Sequence, residues 1–237
     1  MKVLLTGFEP FGGETINPSW EVAKRVSSEG VEGAEIVTAL LPTVFGKPIN
    51  EAVRVIEELK PDLVISLGQA GGSAEITVER VAINISDAGS PDNDNNQPVD
   101  IPIIEGGPAA YFSTLPIKAM VEDIRCAGIP ARVSNTAGTF VCNHVMYGVL
   151  HHIAVRQLPV RAGFIHIPYL PEQAVKHRGA PSMSLSDMTR AIKAAIRAAV
   201  DFKKYIAPLF FTKRSRPFRS WRKTYSFYGY SGRSQVI

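Results

Sequence analysis

The sequence is poor in cysteine and has no long apolar run. Two cysteines among 237 residues are too few for a disulfide framework or a structural zinc site. No apolar stretch reaches the length that crosses a bilayer, and the one near the N-terminus is only three residues long, too short for a secretion signal. We therefore expect a cytoplasmic protein with two free thiols and no membrane partner.

Acidic residues are absent from the end of the chain. Residues 203–237 contain nine Lys or Arg and no Asp or Glu, whereas residues 1–202 contain 17 and 22. The same segment holds nine of the twenty aromatic residues. We predict a mildly acidic body, residues 1–204, followed by a basic aromatic tail, residues 205–237. A basic, aromatic segment is suited to binding nucleic acid. We favour the other interpretation, in which this segment is a non-native end without a selected role.

Strands and helices alternate along the body. Continuous apolar runs typical of parallel strands alternate with amphipathic segments, which predicts an α/β fold: an open, mainly parallel sheet sandwiched by helices, in a single domain. Asn17 and Pro18 mark a helix start. Residues 86–110 form a long loop rich in Pro, Gly, Asn and Asp, and such loops are often functional. Strands are predicted at residues 2–6, 36–42, 62–67, 77–85, 131–134 and 162–167, and helices at 48–59, 115–127, 141–155 and about 185–204.

Cys142 is the candidate nucleophile. Turn-forming residues before it and apolar residues at helical spacing after it predict a tight loop that opens into a helix over Val141–Val155. Unpaired N–H groups and the helix dipole in the first turn favour a thiolate, the reactive form. The competing interpretation is a small buried hydrophobe, the usual fate of a free cysteine. Cys126, late in a predicted helix, has no predicted chemical role.

A cysteine nucleophile needs a base within hydrogen-bond reach, and His166 is the best candidate. It lies at the end of a predicted strand, where sites gather in open α/β sheets. His177 lies in a polar loop and is expected to be solvated. The other three histidines share the helix of Cys142, where helical geometry turns them away or places them roughly 14–15 Å along the axis; they are His144, His151 and His152. The alternative for His166 is a hydrogen-bonded core histidine.

Glu79 is the candidate acid that orients His166. It lies inside an apolar strand pattern, where a carboxylate is costly unless it is paired. The alternative is a surface strand face formed with Arg80, although neighbours on a strand point to opposite faces.

The chain resembles the pyroglutamyl peptidase I family, cysteine peptidases that remove N-terminal pyroglutamate from peptides. The matching segments follow the family order over most of residues 1–200, and their motifs are specific. They are TGFEPFGGETINPSW (6–20), LPTVFGK (41–47), GQAGG (68–72), ERVAIN (79–84), PDN (91–93), GGPAAYFSTLPIK (106–118), TAGTFVCNH (136–144) and GFIHIPYLPEQ (163–173).

The resemblance implies that residues 1–204 form a catalytic domain with a triad of Cys142, His166 and Glu79, acting through a thioester. It further implies an open α/β sandwich, a homotetramer, and no need for a metal or cofactor. Pyroglutamate is a flat, uncharged lactam that needs apolar walls and an amide at its edge. The resemblance assigns the walls to Phe8, Phe11, Thr43, Phe140 and Val141, with Asn17 and Gln69 near the polar atoms.

Two features depart from the family. The family commonly contains an ARIPDN segment, whose arginine is associated with substrate or oxyanion binding. This chain has Gly89 in place of that arginine. The basic tail is the second departure, because the family has no counterpart to it. Two other functions remain open. One is a phosphorylase or nucleosidase in which GQAGG binds an anion, and the other is a weakly active lactam-binding relic.

Overall fold

The structure, a computed structural model, describes residues 1–202. The predicted end of the last helix near residue 204 and the whole tail, residues 205–237, lie outside these residues. No helix within them is both long enough and apolar enough to cross a membrane. The elements are β1 (Lys2–Phe8), α1 (Pro18–Glu29), β2 (Glu35–Leu41), α2 (Lys47–Leu59), β3 (Leu63–Gln69), β4 (Ile76–Glu79), β5 (Val81–Ile83), β6 (Ala110–Phe112), α3 (Ile117–Cys126), β7 (Ala131–Ser134), α4 (Val141–Val155), β8 (Arg161–Ile167), α5 (Pro171–Ala174) and α6 (Leu185–Asp201).

A six-stranded sheet in the order β2-β1-β3-β8-β4-β7 forms the centre of the fold. Its neighbouring strands run parallel except at β8 and β4, which are antiparallel. One face packs on α1, α3 and α6 through residues such as Val22, Met120 and Ile192. The other packs on α2 and α4 through Ile56 and Val145. The predicted sandwich with a mainly parallel sheet is confirmed.

The single strand predicted over residues 77–85 is wrong, because the chain changes sheets at Arg80. The Arg80 N–H donates to Ser134 O of β7 at 2.9 Å, and the Arg80 carbonyl accepts from the Ser113 N–H at 2.8 Å. Residues after it form β5, which pairs with β6 in a separate two-stranded sheet. Alternating polarity cannot reveal this change, since each short strand continues the same pattern.

The long loop of residues 86–110 is anchored on α4, whose predicted bounds are confirmed. Asn143 is fully buried, and its side chain hydrogen bonds to the backbone of Ile83 and Ile85 at 2.9–3.0 Å. Tyr147 donates its hydroxyl to Pro108 O at 2.7 Å. These bonds satisfy polar groups that would be costly to bury unpaired, and they fix the loop beside the helix that carries Cys142.

Candidate active site

Cys142 lies in the first turn of α4, against the C-terminal end of β3. Phe140 is the N-cap and supplies no side-chain hydrogen bond, so the N–H groups of the first turn are left without a cap. A Cβ atom at Gly68 would lie 2.8 Å from Cys142 Sγ. Only glycine therefore lets the sulfur approach this strand. Gly68 is in register with His166 on β8, which brings the thiol and the imidazole together.

His166 and Glu79 meet where β8 and β4 run antiparallel. His166 Nδ1 lies 2.8 Å from Glu79 Oε1, and Thr77, the register partner of His166, donates its hydroxyl to the same oxygen at 3.2 Å. His166 is 8% exposed and Glu79 is 1% exposed. The second carboxylate oxygen, Oε2, is buried and has no partner among residues 1–202. The carboxylate holds the ring by Nδ1, which leaves Nε2 for Cys142.

Electrostatics favour the protonated form of His166. Burial alone would lower its pKa, but the charge and hydrogen bond of Cys142, together with those of Glu79, outweigh burial and raise the pKa to about 10. The ring therefore carries a proton at neutral pH. An imidazolium held between a sulfur and a carboxylate suits a nucleophilic thiolate.

The seven residues predicted to bind the lactam line one cavity together with Cys142, which we call the slot. Aromatic rings form much of its wall, and the centroids of Phe11 and Phe140 are 6.2 Å apart. The free volume is about 20 Å³, room for about one water molecule. The lining residues are Phe8, Phe11, Asn17, Thr43, Gln69, Phe140, Val141 and Cys142.

Asn17 and Thr43 fix the loop that follows β1. Asn17 Oδ1 accepts from the Ser19 N–H at 3.1 Å and the Ser19 hydroxyl at 2.8 Å, which confirms the predicted helix cap. Asn17 Nδ2 and the Thr43 hydroxyl both donate to Glu9 O, at 2.9 and 3.0 Å. Most of the hydrogen-bonding capacity of Asn17 is thus used to shape the slot.

A second, open cavity, which we call the groove, adjoins the slot. His166 and Glu79 line the groove but not the slot, Cys142 lines the slot but not the groove, and Gln69 lines both. Most of the groove's lining residues have polar side chains. Its lining residues are Gln69, Ala70, Ser73, Thr77, Glu79, Arg132, Ser134, Asn135, Thr136, Ala137, Gly138 and His166.

His144 faces away from Cys142, as helical geometry predicted. Its Nε2 accepts from the Gly46 N–H at 3.0 Å, so Nδ1 carries the hydrogen and donates it to Ser86 Oγ at 3.0 Å. Burial lowers the pKa of His144 to about 4. The ring is therefore neutral and structural, and it joins the long loop to the start of α2.

The remaining histidines also bond to groups other than Cys142. The His151 ring forms a hydrogen bond with the Tyr111 hydroxyl, and the His152 ring forms one with the carboxylate of Glu57 on the surface. The side chain of His177 is 41% exposed, in line with the expectation that it is solvated, and it also has two partners. Its Nε2 lies 2.8 Å from Glu14 Oε1, and its ring stacks on Tyr169 with centroids 4.7 Å apart.

Two residues of the site region escaped the sequence analysis. Asp92 accepts hydrogen bonds from the N–H groups of Phe45 and Asn96 at 2.8 Å and thereby braces the backbone beside Thr43. Burial alone would raise its pKa, but these hydrogen bonds lower it. Gln173 is buried and binds Gln69. Asp92 belongs to the PDN segment that matches the family, so the sequence did contain an indication of its role. Gln173 lies in a helix of only four residues, and apart from the family resemblance no sequence pattern indicated it.

Gly89, which replaces the family arginine, is exposed and lies outside both cavity linings. A Cβ atom there would meet nothing within 4 Å. Among residues 1–202, no three His, Cys, Asp or Glu side chains are grouped so as to hold a metal ion.

Comparison with known proteins places this chain in a described family. The family model for pyroglutamyl peptidase matches residues 1–202. Pyrrolidone-carboxylate peptidase 1 of Photorhabdus laumondii is 57% identical over 204 residues, which cover 84% of this chain and 93% of that protein. The pyrrolidone-carboxylate peptidase of Bacillus cytotoxicus is 56% identical over 204 residues, 86% of this chain and 95% of that protein.

Solved structures agree. Pyroglutamyl peptidase I of Bacillus amyloliquefaciens superposes with a TM-score of 0.81 at 53% identity, covering 84% of this chain and 96% of that one. Pyrrolidone carboxyl peptidase from Thermococcus litoralis gives a TM-score of 0.82 at 42% identity, covering 86% and 95%. On the match to the family model, the shared fold and the sequence identity, this chain belongs to the pyroglutamyl peptidase family.

Proposed function

We propose that this chain releases N-terminal pyroglutamate from peptides with Cys142 as nucleophile, His166 as general acid and base, and Glu79 as the orienting acid. The observation that carries the proposal is the alignment of the three side chains where the slot meets the groove. Glu79 holds one nitrogen of His166, and Cys142 interacts with the same ring. This is the order of contacts that an activated cysteine needs.

The reaction proceeds in two steps. The Cys142 thiolate attacks the carbonyl carbon of pyroglutamate, and the uncapped N–H groups of the first turn of α4 stabilise the oxyanion. As the C–N bond breaks, His166 gives its proton to the leaving amine, and a thioester remains. His166 then takes a proton from water as the water oxygen attacks the thioester; the C–S bond breaks, pyroglutamic acid leaves, and the Cys142 thiolate and protonated His166 are restored.

The two cavities receive the two halves of the substrate. The proton donor must contact the leaving amine, and His166 lines only the groove. The peptide that leaves therefore lies in the groove, and the acyl part enters the slot beside Cys142. Since the groove is open and its lining offers both polar and apolar surface, we expect tolerance of many residues after pyroglutamate.

The slot selects an uncharged ring. Its walls are aromatic and aliphatic side chains, and a free α-amine buried there would be unpaired and costly. Phe11 and Phe140, two aromatic residues of its wall, are only half buried and lie outside the helices and strands.

Neither alternative function gains support. A Cβ atom at Gly71 would lie 2.2 Å from the Tyr169 hydroxyl, so an aromatic side chain packs against this glycine of the GQAGG turn. A binding relic would not need a histidine held between a thiol and a carboxylate.

The test compares release of a chromogenic amine from pyroglutamyl and alanyl amides. We expect turnover of the pyroglutamyl amide alone, without added metal, and its loss after thiol alkylation. Turnover that requires phosphate would favour a phosphorylase. Absence of turnover, with the ring still bound, would favour the relic.

We further propose a cytoplasmic homotetramer, which the family resemblance supports. Light scattering coupled to size exclusion measures the oligomeric state. A monomer that is fully active would contradict the proposal.

A further inference from the structure

Gln173 is a buried amide that joins three segments around the slot. It lies in α5, shortly after the strand that carries His166, and is 1% exposed. Its side chain hydrogen bonds to Leu170, to Ile16 and to Gln69. Its two backbone partners allow one orientation only, because the Leu170 N–H can only donate and the Ile16 carbonyl can only accept.

The partners fix which atom of Gln173 faces Gln69. The Leu170 N–H can only donate, so Gln173 Oε1 accepts it, at 3.1 Å. Gln173 Nε2 therefore donates, to Gln69 Oε1 at 2.8 Å and to Ile16 O at 3.4 Å. The carbonyl oxygen of the Gln69 side chain is thereby committed to Gln173.

The free end of the Gln69 side chain is consequently its NH₂ group. Nε2 of Gln69 has no acceptor among the residues that the structure describes, and it is not among their fully buried unpaired atoms. Gln69 lines both the slot and the groove, so it stands where the two halves of the substrate meet. A donor at this point requires an acceptor on the ligand.

We propose that Gln173 is a positioning residue for substrate recognition: it holds Gln69 so that an N–H donor, rather than a carbonyl oxygen, is offered to the substrate. The matching group is a carbonyl oxygen, and the lactam carbonyl of pyroglutamate is the one that distinguishes this ring from proline. Gln173 also ties Ile16, and with it the loop of Phe11, to the same wall. The inference rests on the proposed function, since it takes the slot to hold the pyroglutamyl ring.

Substitutions of Gln173 test the donor directly. Gln173→Glu keeps the acceptor for Leu170 but presents a carboxylate to Gln69 Oε1, so Gln69 has to turn its NH₂ group inward. Gln173→Met keeps the volume and leaves Gln69 free to adopt either orientation. We expect KM for a pyroglutamyl amide to rise about tenfold in Gln173→Glu, the equivalent of 1.4 kcal/mol, and less in Gln173→Met. The turnover number should change little, because binding rather than chemistry is affected.

Two further measurements separate positioning from packing. The rate of alkylation of Cys142 by iodoacetamide should match the unsubstituted protein, because the triad is intact. In a Gln69→Met background, Gln173→Glu should have little further effect, because a residue that acts through Gln69 loses its effect with that amide.

The inference would be overturned if Gln173→Glu raised KM by the same factor in the Gln69→Met background as in the unsubstituted protein. It would also be overturned if Gln173→Glu alone left KM unchanged. If the Gln173 variants do not fold, Gln69→Glu replaces the free donor while Gln173 is kept, and it should raise KM in the same way; an unchanged KM there also overturns it. An unsubstituted protein that does not cleave pyroglutamyl amides contradicts the proposed function instead.

Discussion

At the scale of single residues, His166 shows how neighbours override burial. Burial penalises a charged ring, yet Cys142 and Glu79 raise its pKa to about 10. The sequence could suggest each member of this set, because a carboxylate in an apolar strand, a histidine at a strand end and a cysteine in a first turn are all unusual. It could not show that Glu79 and His166 meet across an antiparallel junction, since register depends on the whole sheet.

The raised pKa of His166 predicts an alkaline limit to activity. The leaving amine needs the His166 proton, so kcat/KM should fall as the pH rises through about 10. In Glu79→Gln the carboxylate charge is lost, so the fall should begin at a lower pH, with some activity and the fold retained. A pH–rate profile of both proteins measures this. Identical profiles and rates would remove Glu79 from the triad.

The raised pKa of His166 also makes the free energy of unfolding depend on pH. The folded-state pKa of His166 lies above the usual value of 6.5, so its contribution is fully present below pH 6.5 and is lost as the pH rises towards about 10. Unfolding by urea at several pH values should show stability falling in this window. His166→Gln should remove that part of the slope.

Gly89 offers a test of the residue that this chain lacks. A side chain can start from this exposed position without a clash, because a Cβ atom there meets nothing within 4 Å. If a guanidinium there holds substrate or oxyanion, Gly89→Arg should raise kcat/KM for pyroglutamyl amides, and Gly89→Ala should reproduce only the gain from ordering the loop. An equal gain from alanine would assign the effect to the backbone, and no gain from arginine would show that this site works without it.

At the scale of elements, α4 carries both chemistry and anchoring. The first and last residues of α4 can be predicted from the spacing of its apolar residues. The hydrogen-bond partners of its polar residues cannot be predicted from the sequence. Asn143 and His144 bind segments that are about 60 and 98 residues away in sequence, and such contacts leave no local pattern. The split of residues 77–85 escaped prediction for the same reason.

His144→Ala should therefore loosen the long loop without disabling Cys142. The substitution leaves the Gly46 N–H and the Ser86 hydroxyl unpaired, at a cost of about 1–3 kcal/mol. We expect a lower Tm and a higher KM, with little change in Cys142 alkylation. His152→Ala is the matched control, because within residues 1–202 the His152 ring hydrogen bonds only to a surface glutamate. Equal effects of the two substitutions on Tm would contradict the anchoring role.

At the scale of the whole molecule, the family match ends at residue 202, close to the predicted boundary. Every residue of the slot, the groove and the triad precedes it. A chain that ends at Lys204 should therefore fold and keep its activity. Any binding of polyanions by the full chain should weaken steeply with salt and vanish on truncation. Circular dichroism, amidase assays and a salt titration measure these outcomes, and unfolding on truncation would show that the tail is structural.

The most direct test of the account is to trap the acyl-enzyme. The protein is mixed with a pyroglutamyl ester, quenched in acid during turnover, digested and analysed by mass spectrometry, with Cys126→Ser and Cys142→Ser as matched variants. We predict one pyroglutamyl group on the peptide that contains Cys142, the same label in Cys126→Ser, and neither label nor amidase activity in Cys142→Ser. Label on another residue, or full turnover by Cys142→Ser, would contradict the assignment of Cys142 as the nucleophile.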